Sequence, residues 1–298
     1  MGMSIEELSI GGVPTTTVRL LSRSAEALVL VVPGNPGVAR MYLPFAQHLH
    51  AVGEGRLSVA VAGHAGHAPG YTSPSGYFGL KDQVAHHEQF WRALPEHPIV
   101  HVVGHSIGAW LGLKIFDGLP AARRGRAFLL FPALERLAET PNGRQLAPLF
   151  GVMRSPTVAF ARLLHHLPGR DWFLNTFMLY EARPEVKALM LEGALEISGT
   201  GLNNVLRMAK EEMEQVVACP EDLLQKYSDV LSIYYGEADP WNLPDMPERM
   251  ANRFPSAEVV RCPHGFSHSF VFDGSRQMAD FVAARVLPLR AEESAFAI

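Results

Sequence analysis

One short stretch constrains the fold of this chain more than any other, the pentapeptide Gly-His-Ser-Ile-Gly at Gly104–Gly108. An apolar run, Ile99–Val103, leads directly into it, and a segment of helical period, Ile107–Asp117, continues from it. A serine on a sharp turn between a strand and a helix projects its hydroxyl beyond the sheet, and flanking glycines allow close backbone approach. The stretch therefore predicts a nucleophile elbow at Ser106, and a glycine-rich turn with an ordinary surface serine is the alternative.

Apolar runs of strand length alternate with segments of helical period along much of the chain. This alternation predicts an α/β fold with a mostly parallel central sheet and flanking helices. Thr15–Arg19, which follows two glycines, predicts an antiparallel edge hairpin with the first residues. The predicted strands are Ala27–Val32, Leu57–Ala62, Ile99–Val103, Ala127–Phe131, Leu231–Tyr235 and Val259–Arg261, and the predicted helices are Met41–Ala51, Leu80–Ala93, Ile107–Asp117, Pro247–Arg253 and Ser275–Val286.

The alternation stops between residues 133 and 228, where helical stretches occur without a convincing strand. We therefore expect a core formed by residues 1–132 and 229–298, with a helical cap inserted at 133–228. Ser155 and Pro156 are typical of a helix start within this insertion. The apolar stretch from Leu163 to Leu179 has three interpretations: the core of the cap, the lining of a lipophilic acyl pocket, or an anchor on a lipid surface.

A serine nucleophile needs a histidine to take its proton and a carboxylate to orient that histidine. With the serine on such an elbow, the acid and then the histidine are expected later in the chain. Asp239 lies just past a predicted strand and precedes Pro240, which favours a turn, whereas Glu237 is the competing carboxylate. His264 and His268 both follow the last predicted strand, and His268 is preferred because it lies just before the terminal helix.

Two backbone N–H groups are expected to bind the oxyanion that forms when serine attacks a carbonyl. The first belongs to Ile107, directly after the nucleophile. The second is expected from the loop Pro33–Gly37, in which Pro36 has no N–H to give. Asn35 occupies the position where a small turn can aim its amide at the serine, and the two glycines of the loop are the alternatives.

The sequence argues against several other classes of function. Lys and Arg total 26 against 30 for Asp and Glu, so there is no basic field for a nucleic acid. His64 and His67, like His86 and His87, suggest a metal site, but their neighbours supply no further ligand, so we expect neither a metal nor a cofactor. The N-terminus lacks a secretory pattern, no apolar run is long enough to span a membrane, and two cysteines without metal-like spacing favour a reducing compartment.

Together these motifs resemble those of the α/β-hydrolase superfamily, and more closely those of the lipid droplet-associated hydrolase family. In the last matching segment, Ser267 stands where the family usually has proline, and the match favours His268 over His264. The segments follow the family's order over roughly residues 28 to 285 and are Val32–Gly37 with Tyr42, Pro44 and Phe45, then Gly63–His67, Leu80–Val84, Gly104–Ala109, Phe131 with Pro132, Pro141–Gly143, Tyr235–Trp241 and Ser267–Phe270.

The resemblance implies an α/β-hydrolase fold and a serine esterase of the lipase-like kind, with Ser106, Asp239 and His268 as its catalytic triad. It implies lipophilic esters as substrates, with sterol esters and neutral lipids as candidates. The expected location is cytoplasmic, at a lipid-droplet or membrane surface. The alternative is a weakly active or non-catalytic lipid-droplet-associated protein with the same fold.

Overall fold

A computed structural model describes residues 3–68, 71, 77–165 and 199–287 of the chain. Its strands are β1 (Met3–Ile10), β2 (Val13–Leu20), β3 (Ala27–Val32), β4 (Leu57–Ala62), β5 (Ile99–His105), β6 (Arg124–Leu130), β7 (Leu231–Tyr235) and β8 (Glu258–Arg261). In the described residues these strands form one sheet in the order β1-β2-β4-β3-β5-β6-β7-β8. The hairpin of β1 and β2 is antiparallel and β2 pairs antiparallel with β4, whereas every pairing from β4 to β8 is parallel. The mostly parallel sheet and the antiparallel edge hairpin are therefore confirmed.

The bounds of β3, β4 and β7 are those predicted from the sequence. β5 continues two residues beyond its predicted end, up to His105, directly before the elbow. β6 starts earlier than predicted, at Arg124, and ends at Leu130. The prediction that Phe131 ends this strand was wrong, because its backbone φ of 47° turns the chain out of the extended conformation.

Helices cover both faces of the sheet. They are α1 (Leu43–Val52), α2 (Leu80–Ala93), α3 (Ile107–Asp117), α4 (Pro141–Phe150), α5 (Arg154–His165), α6 (Gly199–Gln215), α7 (Glu221–Lys226), α8 (Met246–Arg253) and α9 (Ser275–Val286). The bounds of α2, α3 and α9 are as predicted. The first helix was predicted from Met41, but a 3-10 turn at Ala39–Tyr42 precedes it and the α-helix begins at Leu43.

Alternate side chains of the central strands supply two separate hydrophobic cores. Leu28 and Leu30 of β3 belong to the core shared with α2 and α3, whereas Val29 and Val31 belong to the core shared with α1 and α9. Every residue of β3 is buried, as expected for a central strand of a parallel sheet with both faces covered. The carboxyl ends of β3 and β5 consequently meet at one edge of the sheet.

Helices α4 to α7 lie between β6 and β7, in the region predicted to be a cap. Phe150, Val158, Leu206 and Ala209 form a third, smaller hydrophobic cluster there. The helix start predicted in this region is displaced by two residues, because α5 begins at Arg154 rather than at Pro156, after Ser155. Most of the apolar stretch predicted from Leu163 to Leu179 lies outside the described residues. None of the described helices has the length and apolar character that crossing a membrane requires.

Four histidines form a buried cluster where the loop after β4 meets α2. His64 Nδ1 and His87 Nε2 are 3.0 Å apart, and His67 Nδ1 donates to a backbone carbonyl oxygen at 2.7 Å. Burial lowers the pKa of His67 and of His86 to about 4, and it lowers the pKa of the other two well below the ordinary value. The described residues contain no group of three or more candidate ligands that could hold a metal ion. The histidines therefore pack as neutral rings that support the adjoining loops.

We expect the free energy of unfolding to be highest above pH 6.5 and to fall as the pH drops from 6.5 to 4. In this window the unfolded chain binds protons at His67 and His86 that the folded protein does not bind. Each shift corresponds to about 3 kcal/mol of stability lost by pH 4. Urea unfolding at a series of pH values measures the effect.

Matched variants identify its source. A His67→Asn/His86→Gln double variant should show a shallower pH dependence, because it lacks the contribution of these two rings and keeps that of His64 and His87. Replacing the exposed His264 by Gln should leave the pH dependence unchanged. An equally steep pH dependence in the double variant and in the wild-type protein would contradict the assignment.

Candidate active site

Ser106 lies on the turn between β5 and α3, as the sequence predicts, with φ 55° and ψ −124°. A residue other than glycine held in such a conformation costs about 1–3 kcal/mol, which the surrounding structure must offset. The Ser106 N–H donates to the Leu130 carbonyl oxygen at 3.1 Å, and the Ser106 carbonyl oxygen accepts from the Ala133 N–H at 3.1 Å. The end of β6 and the segment that follows it thus hold the elbow in place.

The two glycines of the pentapeptide allow α3 to approach the strands closely. A Cβ on Gly108 would lie 2.2 Å from the Val32 carbonyl oxygen, and one on Gly104 would lie 2.3 Å from the Gly108 carbonyl oxygen. Gly34 lies close to Ser106, because a Cβ on Gly34 would be 2.9 Å from Ser106 Cβ. The loop after β3 is therefore packed directly against the serine.

A chain of hydrogen bonds joins Ser106, His268 and Asp239. His268 Nε2 is 2.9 Å from Ser106 Oγ, and His268 Nδ1 is 2.7 Å from Asp239 Oδ2. Asp239 Oδ1 accepts from the Trp241 N–H at 2.8 Å, and its Oδ2 accepts from Asn242 Nδ2 at 2.9 Å. Burial alone would raise the pKa of Asp239, but these hydrogen bonds and the adjacent histidine hold it below the ordinary value. An ionised Asp239 accepts the Nδ1 proton of His268 and leaves Nε2 free to accept the serine proton.

The competing residues lie apart from this chain of hydrogen bonds. Glu237, two residues before Asp239, is exposed. His264 is also exposed, and its ring lies 5.1 Å from that of Phe266. The structure thus brings together the three residues that the sequence analysis preferred.

The loop at Pro33–Gly37 leaves one backbone amide available beside the serine. The Gly34 N–H donates to Tyr42 Oη at 2.8 Å, and the Gly37 N–H donates to the Gly34 carbonyl oxygen at 2.6 Å. In the described part of the chain, no acceptor binds the backbone N–H of Asn35 or that of Ile107. The two amides predicted to bind an oxyanion are therefore both without an acceptor among the described residues. The peptide bond between Asn35 and Pro36 is cis.

Tyr42 and His105 form a relay that sequence reasoning did not assign to the site. His105 Nε2 is 2.8 Å from the His268 carbonyl oxygen, and His105 Nδ1 is 2.6 Å from Tyr42 Oη. Burial and the neighbouring His268 lower the pKa of His105 to about 3, so its ring is neutral. Because a carbonyl oxygen can only accept, His105 carries its proton on Nε2 and accepts from the Tyr42 hydroxyl on Nδ1. The Tyr42–His105 relay connects the Gly34 amide to the backbone of His268.

With this geometry in place, comparison with known proteins identifies the family. The sequence profile described as "Lipid-droplet associated hydrolase" matches residues 25–271. This chain belongs to the lipid-droplet associated hydrolase family. Membership makes it a hydrolase, and the family resemblance of its motifs is confirmed.

Several curated relatives extend over most of the chain. The lipid droplet-associated hydrolase of Homo sapiens is 28% identical over 285 residues, covering 86% of this chain and 83% of the human protein. That of Gallus gallus is 30% identical over 271 residues, with the same coverage of each chain. That of Drosophila melanogaster is 28% identical over 273 residues, covering 86% of this chain and 87% of its own.

Solved structures show the same fold at low sequence identity. An esterase from Exiguobacterium antarcticum aligns with a TM-score of 0.68 at 14% identity, covering 96% of this chain and 99% of its own. A thioesterase domain from the curacin biosynthetic pathway aligns with a TM-score of 0.65 at 17% identity, covering 95% and 99%. The chain therefore has the α/β-hydrolase fold that the sequence predicts.

The hydrogen bonds of the Tyr42–His105 relay fix the tautomer of the neutral His105 ring, and this tautomer can be measured. We expect His105 to keep its proton on Nε2 between pH 5 and 8, because burial holds its pKa at about 3. Nitrogen-15 NMR of the histidine side chains reads the tautomer directly, with a His105→Asn variant supplying the assignment. A Tyr42→Phe variant removes the donor to Nδ1 and should shift that nitrogen alone among the histidines. Protonation of His105 near pH 6.5 would contradict the relay.

Proposed function

We propose that this hydrolase cleaves carboxylic esters of lipophilic substrates through a catalytic triad of Ser106, His268 and Asp239. The observation that carries the proposal is the hydrogen-bond chain from Ser106 Oγ through His268 to the buried Asp239, at 2.9 Å and 2.7 Å. The nucleophile, the base and the group that orients the base occur in the order and geometry that acyl transfer requires.

In the proposed reaction, Ser106 Oγ attacks the ester carbonyl carbon while His268 Nε2 takes the hydroxyl proton. Asp239 remains ionised, keeps the Nδ1 proton in place and stabilises the imidazolium cation that forms. His268 then gives its proton to the leaving alcohol, and an acyl-enzyme ester remains on Ser106. A water molecule repeats the sequence, with its proton passing to His268 and then back to Ser106 as the carboxylic acid leaves.

The free amides of Asn35 and Ile107 are the proposed oxyanion donors. The position of Ile107 at the start of α3 adds the favourable end of the helix dipole to its N–H. Asn35 is chosen because the amides of the two alternatives already donate hydrogen bonds. The Gly34 N–H donates to Tyr42 Oη, and the Gly37 N–H donates to the Gly34 carbonyl oxygen. Preorganised donors of this kind typically contribute a factor of about one hundred or more to the rate.

The region between β6 and β7 is the proposed cap, with residues 133–228 as its extent and the remainder as the catalytic core. Its described residues expose large apolar side chains, with Val152 in the turn before α5 84% accessible and Phe160 and Leu163 of α5 55% and 59% accessible. Exposed apolar groups on a helix favour contact with a lipid surface over the interior of the cap. The curated relatives are named lipid droplet-associated hydrolases, so we place this chain at a lipid-droplet surface and take neutral lipids or sterol esters as its substrate class.

A fluorophosphonate should label the wild-type protein on Ser106, because this reagent reacts with an activated serine. Ser106→Ala should abolish the label, and Ser106→Ala or His268→Ala should reduce ester hydrolysis by at least about a thousandfold. The His264→Ala variant is the matched control and should retain full activity. Absence of a Ser106-dependent label, or full activity in His268→Ala, would refute the proposed triad.

A series of p-nitrophenyl esters from acetate to decanoate tests the lipophilic substrate class. We expect kcat/KM to rise with acyl length, by up to about fourfold for each methylene group that the site buries. Rates measured with Ser106→Ala give the background hydrolysis to subtract. A preference for short or polar acyl groups would argue against lipophilic esters while leaving the triad intact.

A further inference from the structure

The side chain of Asn35 is held by helix α6 rather than by its own loop. Asn35 Nδ2 donates to the Val205 carbonyl oxygen at 3.0 Å and to Glu212 Oε1 at 2.9 Å. These two contacts use both hydrogens of the amide nitrogen. Asn35 Oδ1 is buried and has no hydrogen-bond partner in the described part of the chain. The orientation of this side chain therefore depends on two acceptors that lie about two helical turns apart on α6.

Glu212 is a carboxyl group in an environment that disfavours its charge. Its side chain is buried, with 6% of the residue accessible. Burial raises the pKa of Glu212 to about 8; the hydrogen bond from Asn35 opposes this rise, and the negative charge of Glu211 adds to it. Among the described residues, Tyr77 in the segment before α2 also interacts electrostatically with the Glu212 carboxyl. Below pH 8 a protonated Glu212 thus offers Oε1 to Asn35 without burying a charge.

A second contact docks α6 against the same edge of the sheet. Asn204, which is 3% accessible, donates from Nδ2 to the Gly66 carbonyl oxygen at 3.0 Å. A Cβ on Gly66 would lie only 2.6 Å from that nitrogen, so the loop and the helix are in close contact. Helix α6 therefore binds the loop after β4 as well as the loop after β3.

We propose that Glu212 is a positioning residue for oxyanion binding, which acts by holding the Asn35 side chain so that the Asn35 backbone N–H faces the carbonyl attacked by Ser106. This role rests on the proposed function of Ser106 and deepens it. Loss of the Glu212 proton puts a buried negative charge beside a loop that must stabilise another negative charge. The transition state is then disfavoured relative to the bound ester, whose carbonyl oxygen is neutral.

Two variants of Glu212 and one of Glu214 separate a positioning role of Glu212 from a purely structural one. In Glu212→Gln the amide oxygen accepts the same hydrogen bond, so kcat at pH 7 should stay within about twofold of wild type. Glu212→Ala removes the acceptor and should lower kcat about tenfold with little change in KM, because the lost interaction serves the transition state. Glu214→Gln is the control, since Glu214 is exposed on the same helix and pairs with Lys210.

The pH profile gives a readout that a structural role would not change. Wild-type kcat should fall above pH 8 as Glu212 ionises, and this alkaline decrease should persist in Glu214→Gln but disappear in Glu212→Gln. In an Asn35→Ala background, Glu212→Ala should have almost no further effect, because both residues act through one contact. An alkaline decrease of kcat in Glu212→Gln equal to that of wild type would overturn the proposal. It would also be overturned if Glu212→Ala lowered kcat by the same factor in the Asn35→Ala background as in the wild-type protein.

NMR tests the contact without relying on turnover. The Asn35 side-chain amide signal, assigned by its loss in Asn35→Ala, should shift with a midpoint near pH 8 in the wild-type protein and not in Glu212→Gln. A wild-type signal that does not shift overturns the positioning role. Labelling of Ser106 by a fluorophosphonate distinguishes the two proposals: a labelled enzyme whose kcat is unaffected by Glu212→Ala overturns the role of Glu212 alone.

Discussion

The close approach of α3 to the ends of β3 and β5 is the contact on which the rest of the site depends. It exists because Gly104 and Gly108 carry no side chain where backbone atoms lie little more than 2 Å from an added Cβ. At this contact Ser106 has a positive φ, and α3 begins directly after it at Ile107, whose N–H has no acceptor among the described residues. A side chain at either glycine would separate the helix from the strands, and Ser106 would move together with Ile107.

Electrostatics at this edge of the sheet is organised by burial and directed hydrogen bonds. Asp239 keeps its charge despite its burial because His268, Trp241 and Asn242 donate hydrogen bonds to it. His105, one residue before Ser106, remains neutral because it is buried, so its ring can donate and accept at the same time. A neutral His105 places no positive charge beside His268.

Local features of the sequence predicted the parts of the structure that local interactions determine. The bounds of β3, α2 and α3 follow from apolar runs and helical period, and the elbow follows from its glycines and flanking elements. Asp239 and His268 could be selected because chain order and position after a strand constrain them. The 3-10 turn at Ala39–Tyr42 could not be read, because helical period does not distinguish it from the first turn of an α-helix.

The remaining parts of the site depend on contacts between distant segments. Tyr42 and His105 are 63 residues apart, and neither residue type nor spacing identifies them as partners. The Asn35 side chain could have been assigned to its own turn, since asparagine commonly bonds to nearby backbone groups. Its actual acceptors are 170 and 177 residues further along the chain. Tyr42 and the pentapeptide that contains His105 both lie in segments that match the family, which could have suggested a shared role. The sequence alone does not show that the two side chains are in contact.

The attachment of Asn35 to α6 also has a consequence for how such a protein can diversify. Insertions between two strands of a sheet are often exchangeable, since a core that is complete without them tolerates their replacement. Here the helical segment between β6 and β7 supplies the acceptors for the Asn35 side chain, and its Asn204 binds the loop after β4. A new insertion chosen only to fit a different substrate would therefore also have to provide acceptors at the positions of Val205 and Glu212. The contacts of Asn35 and of the loop after β4 thus limit recombination in this chain to exchanges that keep α6.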